Sequence, residues 1–183
     1  MRRWVSVVLL LVLVAAFALS ATAAMAVEKW KVQGYTLAPQ EKWTPGCIKG
    51  WKEGQFVPHR LVVKDFVLGR TYSFSFWDDY RWKGKGNPYG FDYSSSFGVI
   101  GGTLNSVVDN GFVNAQNAAK HTYTITFTPD GSTAEVIVSW FGHLAVTTPG
   151  AKGASYWPGA TLDTRIQWRD PVIPGERTLP HQA

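Results

Sequence analysis

The stretch Thr71 to Trp77 reads T-Y-S-F-S-F-W, placing Tyr72, Phe74 and Phe76 on one face and Ser73 and Ser75 on the other. Side chains of a strand point alternately to opposite sides, so a period of two dictates a half-buried β-strand and argues against an amphipathic helix. The pattern returns at Thr122 to Phe127, with Tyr123, Ile125 and Phe127 inward and threonines outward. It returns again at Ala134 to Trp140, where Ala134, Val136, Val138 and Trp140 share a face. Between these two lies Pro129-Asp130-Gly131-Ser132, in which Pro presets φ and Gly accepts a positive φ. The two segments are therefore expected to form a hairpin. Less regular strands are expected at Trp30 to Leu37, Phe56 to Val63, Tyr93 to Ile100 and Leu162 to Trp168, with short edges at Asp65 to Leu68 and Leu144 to Thr147. Gly101 to Lys120, rich in Gly, Asn, Ala and Val, fits neither period and reads as a long loop, with one helical turn near Asn114 to Ala119. Strands without intervening helices imply antiparallel sheets packed face to face. The expected fold is all-β, an antiparallel β-sandwich, with a small β-barrel as the alternative.

The N-terminus sets the compartment. Met1-Arg2-Arg3 is positive, Val5 to Leu19 is apolar apart from Ser6, and Ala24-Met25-Ala26 offers small residues to a signal peptidase. That order is a secretory signal peptide over residues 1–26, and the apolar run is short of the roughly 20 residues a membrane span needs. The domain is expected over residues 27–169. Asp170 to Ala183, Pro-rich and without apolar periodicity, reads as a flexible C-terminal tail. No membrane attachment is expected after cleavage, and the location is extracellular or at the cell surface.

Losing Arg2 and Arg3 lowers the formal charge from +5 to +3, because all 13 acidic residues follow the cleavage site. The remaining cations are scattered, with small clusters at Lys49 to Lys52 and Arg81 to Lys85. Phosphate backbones are gripped by continuous basic faces, so nucleic acid is not an expected partner. Cys47 is the single cysteine, which excludes an intrachain disulfide and leaves either a buried small hydrophobe or a thiol able to pair between chains.

Three stretches carry a resemblance. They are Lys52-Glu53-Gly54-Gln55-Phe56-Val57-Pro58-His59-Arg60, then Trp77-Asp78-Asp79-Tyr80 with Tyr89-Gly90-Phe91-Asp92-Tyr93, and Ser139-Trp140-Phe141-Gly142-His143-Leu144-Ala145. In this order they resemble an EGD-x-VP-x-R motif, a YD…HAYDY pair and AWGGHIA in a group of exported bacterial surface proteins with a prealbumin-like fold. The resemblance spans roughly Gly46 to Trp168, with an insertion-like stretch from Ser95 to Ala119. It implies a β-sandwich module at the cell surface or in the matrix, and implies no catalytic residues. Phe141 stands where the pattern has Gly, and Tyr89-Gly90 replaces His-Ala.

Asp78, Asp79 and Asp92 are the densest acidic group and the candidate metal ligands. Calcium favours carboxylate and carbonyl oxygens on loops between strands, although no D-x-D-x-D-G spacing is present and Arg81 and Lys83 are placed to pair with these acids. His143 lacks a nucleophile elbow nearby and is expected to make a structural hydrogen bond; His59 lies far from it in the chain. Trp140 and Trp168 fall on inward faces. Trp43, Trp51, Trp82 and Trp157 lie in Gly/Pro/Lys-rich connections, where exposed rings would stack on sugars and buried rings would cap the open ends of the sandwich. The functional expectation is a secreted, non-enzymatic structural or interaction module. Its partners are a polysaccharide or a second copy, the latter reached by lending out Trp30 to Leu37. A carbohydrate-binding module using the loop tryptophans is the alternative, and a secreted hydrolase is third.

Overall fold

The computed structural model of the chain describes residues 29–84, 86–115, 118–157 and 162–182. The signal peptide expected over residues 1–26 lies outside them. Ten strands form the fold: β1 (Lys29–Thr36), β2 (Lys42–Thr44), β3 (Phe56–Lys64), β4 (Tyr72–Trp82), β5 (Phe91–Ile100), β6 (Gly102–Asn114), β7 (Ala118–Pro129), β8 (Val136–Leu144), β9 (Leu162–Asp170) and β10 (Arg177–His181). They make two five-stranded sheets, ordered β2-β1-β3-β8-β5 and β10-β9-β4-β7-β6. Every pairing within them is antiparallel. Neither sheet closes on itself, so the protein is a β-sandwich and the barrel alternative falls away. No helix among the described residues is long and apolar enough to cross a membrane.

The alternating residues fill the space between the sheets. Tyr72, Phe74 and Phe76 of β4, Ile125 and Phe127 of β7, and Val136, Val138 and Trp140 of β8 are all fully buried. Trp140 from one sheet stacks on Phe76 of the other at 4.7 Å, and Trp168 packs against Tyr72, Phe74 and Phe127. Side chains of this size each remove well over a hundred square ångströms from water, which is the main source of stability in a sandwich.

Several expectations are corrected. The segments Thr122 to Phe127 and Ala134 to Trp140 do not form a hairpin: β7 pairs with β4 and β6, whereas β8 pairs with β3 and β5 in the facing sheet. The turn chemistry is present, with Gly131 at φ 78° and the Asp130 carboxylate accepting from the Ser132 N–H. The connection nevertheless arches across the core. Both strands have one buried face, and alternation alone does not say whether those faces lie side by side or opposite each other.

Gly101 to Lys120 is not a loop. It holds the 13-residue β6 and the start of β7, joined to β5 by a turn at Gly101. β6 is an edge strand with bulges near Leu104/Ser106 and Asp109/Gly111. Each bulge shifts the alternation by one, and little of the strand is buried, so no clean period reaches the sequence.

The C-terminal segment is not a free tail either. β10 pairs with β9, and Leu179 and His181 are buried. Five residues with one buried pair give too short a pattern to recognise. The two short edges are also absent as strands: 65–70 is a turn and 145–147 leads into a Thr148–Ala151 bridge.

Candidate functional site

Of the four loop tryptophans, Trp82 and Trp157 meet each other, and Trp43 and Trp51 each contact Tyr35. Trp43 lies on β2, edge-on to Tyr35, with the Arg60 guanidinium 4.2 Å from its ring centroid. Trp51 donates its indole N–H to the Tyr35 carbonyl at 2.6 Å. Trp82 and Trp157 meet at 5.7 Å with their planes at 65°, and Trp157 is buried. Trp51 and Trp82 pack on the core cluster that includes Trp157. None of the four is exposed.

The three aspartates are dispersed by strand alternation. Asp78 faces the core, where its carboxylate accepts from Ser94 Oγ at 2.7 Å and Thr164 Oγ1 at 2.5 Å. Asp79, the next residue, faces the other way and accepts the Asp163 N–H at 3.0 Å. Asp92 lies on the outer face of the first sheet, 2.7 Å from His143 Nδ1. Burial pushes the carboxyls of Asp78 and Asp79 up to about 6. Among the described residues no group of three His, Cys, Asp or Glu is placed to hold a metal ion. Arg81 and Lys83 do not pair with these acids: Arg81 lies over the Tyr89 ring and Lys83 Nζ donates to the Ala115 carbonyl. Cys47 is half-buried and free.

His143 makes the structural bond expected of it. Asp92 holds its ring between Phe56, at 4.7 Å, and Tyr93, stacked at 4.9 Å. His59 is on the inward side of β3, and its partner is His181 rather than His143.

A buried relay connects β6 to the core. His121 Nε2 lies 2.8 Å from Asp109 Oδ1, its Nδ1 lies 3.1 Å from the Tyr123 hydroxyl, and that hydroxyl accepts the Ser94 N–H at 3.1 Å. In the neutral ring this bond set requires the Nε2–H tautomer, donating to Asp109 and accepting from Tyr123. Burial pushes the Tyr123 phenol up to about 12. A phenol so enclosed and so reluctant to ionise serves as a structural link, tying the sheets together through Ser94 and Asp78, rather than as a nucleophile.

An open cavity of about 430 Å³ lies at one end of the sandwich, and a second of about 440 Å³ is lined by Trp30, Val62 and the basic side chains of Lys29, Lys31, Lys64 and Arg177. One wall of the first is the end of β4 with the connection after it, carrying Arg81, Gly86, Asn87 and Tyr89; the other is the segment 147–156, with Thr148, Lys152 and Tyr156. Glu53, from the first motif, fixes that second wall. Its carboxylate accepts from the N–H and hydroxyl of Thr147 and from the N–H and hydroxyl of Ser155. These bonds outweigh desolvation and hold the Glu53 carboxyl below its ordinary value. The Thr147 hydroxyl in turn accepts the Gly153 N–H at 3.0 Å. Sequence reading passed over this site because its two walls are some 60 residues apart, and neither contains a recognisable spacing.

No protein-family model matches the chain, and neither does any curated protein or solved structure compared with it.

Proposed function

We propose that this protein is an exported, non-enzymatic structural module that associates with a second copy of itself along the free edge of β6. The observation that carries this reading is the edge itself. β6 is 13 residues long and ends its sheet, and Val108, Phe112 and Val113 on it are 48%, 57% and 53% exposed. An unpaired strand edge offers a row of N–H and C=O groups to any extended partner. Proteins usually blunt such edges with lysines, prolines or bulges; β6 has two bulges but carries only Asp109 as a charge and no proline. Two identical edges meeting antiparallel close a two-fold dimer. The N-terminal strand is less suited to exchange than its sequence suggests, because β1 is paired on both sides, with β2 and β3. The signal-peptide pattern and the three-motif resemblance support the exported setting.

The test is sedimentation velocity at rising concentration for the protein and for Val108→Lys and Phe112→Lys. Association that rises with concentration and disappears in both variants supports the proposal. A monomer throughout overturns it.

A further inference from the structure

Beyond that reading, we infer that the cavity between the β4–β5 connection and the 147–156 segment binds an acidic saccharide, a sugar ring bearing a carboxylate or sulfate group. Its charge is one-sided. Arg81 and Lys152 stand on opposite walls, no Asp or Glu lines the space, and neither cation joins an ion pair among the described residues. Unpaired cations facing one cavity create a positive potential that an anion entering it would neutralise. A guanidinium also presents a planar fork that matches a carboxylate or sulfate with two parallel bonds.

The cations are held in place by rings. Arg81 lies 5.0 Å from the Tyr89 ring centroid, and Lys152 Nζ lies 5.3 Å from that of Tyr156. Tyr156 is 54% exposed and offers a flat apolar surface beside the charge. A bare phosphate or sulfate ion would use the cations and leave the rings idle. An uncharged sugar would stack on the rings and accept hydrogen bonds from the cations without neutralising their charge. A sugar ring carrying an anion engages both, and the Thr148 and Asn87 side chains add hydrogen-bonding capacity for hydroxyls. The volume is within the range of sites for small ligands.

The walls are set before any ligand arrives. Glu53 ties Thr147 to Ser155 on one side. On the other, Gly86 holds a left-handed turn at φ 86° that other residues rarely adopt, and the Tyr89 N–H donates to the Lys152 carbonyl at 2.8 Å. Preorganisation of this kind lowers the ordering cost of binding.

Isothermal titration with four probes tests the inference: an oligogalacturonate, a sulfated oligosaccharide, an uncharged oligosaccharide of equal length, and inorganic sulfate. At least one acidic oligosaccharide should bind, and the tighter of the two identifies the anion. Its affinity should fall at least about tenfold in Arg81→Gln and in Lys152→Gln, each equivalent to about 1.4 kcal/mol. It should also fall several-fold in Tyr156→Ala, with melting temperatures unchanged, since Arg81, Lys152 and Tyr156 are exposed. Equal binding of the uncharged oligosaccharide, equal binding of inorganic sulfate, no binding of either acidic probe, or indifference to both cation substitutions would each overturn it.

Discussion

The Nε2 atoms of His59 on β3 and His181 on β10 lie 2.7 Å apart in the core, joining two sheets through residues 122 positions apart in the chain. His181 Nδ1 lies 3.0 Å from the Leu162 carbonyl, so that nitrogen carries the proton and donates it. His181 Nε2 must then accept, and His59 Nε2–H must donate. His59 Nδ1 is left as a buried acceptor without a partner. Burial holds both rings neutral, because a proton added to either would place a charge in the dry core.

Acid should therefore weaken the fold. Burial pushes His181 down to about 4 and His59 well below its ordinary value; the bond to the Leu162 carbonyl and the nearby Asp163 oppose this at His181 but do not prevail. Between the unfolded value of 6.5 and about 4 the unfolded chain binds more protons than the native one, so stability falls as pH falls through that window. At about 1.4 kcal/mol per pH unit the loss from His181 reaches roughly 3 kcal/mol near pH 4. Urea melts from pH 7.5 to 4.5 check this, and a His59→Phe/His181→Leu double variant should show a shallower decline.

Asp78 works in the opposite direction. Its carboxyl titrates near 6 in the fold and at 3.8 when unfolded, so between those values the native state binds more protons and is stabilised by acid. Above pH 6 the buried charge is a cost. Asp78→Asn keeps an acceptor for Thr164 and offers its amide to Ser94, so it should raise stability at pH 7 by up to about 3 kcal/mol. It should also steepen the acid loss described above, because the opposing slope is gone. A lower stability at pH 7 would mean that the ionised carboxylate earns more from its two hydroxyl donors than burial costs it.

Glu53 should be worth more than its half-exposed position suggests. Glu53→Ala removes acceptors from two backbone N–H groups and two hydroxyls at once. A loss of about 1–3 kcal/mol is expected, with faster amide exchange at Thr147 and Ser155 and little change in β3. Uniform exchange across the protein would contradict a local tether.

Removing the C-terminal strand should be severe. Truncation after Asp170 exposes the interior face that Leu179 covers and leaves His59 Nε2–H without an acceptor. Loss of a buried Leu and of a buried hydrogen-bond partner together predicts more than about 3 kcal/mol, read by thermal circular dichroism. A truncated chain as stable as the full one would show that β10 is dispensable.

The strands most legible in sequence were those with a deeply buried face and no bulge. In β4, β7 and β8, Tyr72, Phe74, Phe76, Ile125, Phe127, Val136, Val138 and Trp140 write the sandwich core directly into a period of two. That period reports which face of a strand is dry, and nothing more. It does not state which sheet a strand joins, so β7 and β8 read as a hairpin although they face each other across the core. It fails at β6, where bulges and exposure erase it, and at β10, where five residues are too few to carry it. The indoles were visible, but whether a ring caps or displays depends on neighbours such as Tyr35 and Trp157 that only folding supplies. The same holds for chemistry. Asp78 and Asp79 looked like one acidic pair, yet a strand sends adjacent side chains to opposite faces, and their partners Ser94, Thr164 and Asp163 come from β5 and β9. The sequence alone determined an all-β architecture, because dry faces require alternating side chains. Tertiary structure decided the pairing of sheets, the His59–His181 bond and the cavity between Arg81 and Lys152, because each depends on closing loops whose ends carry no local mark of where they will meet.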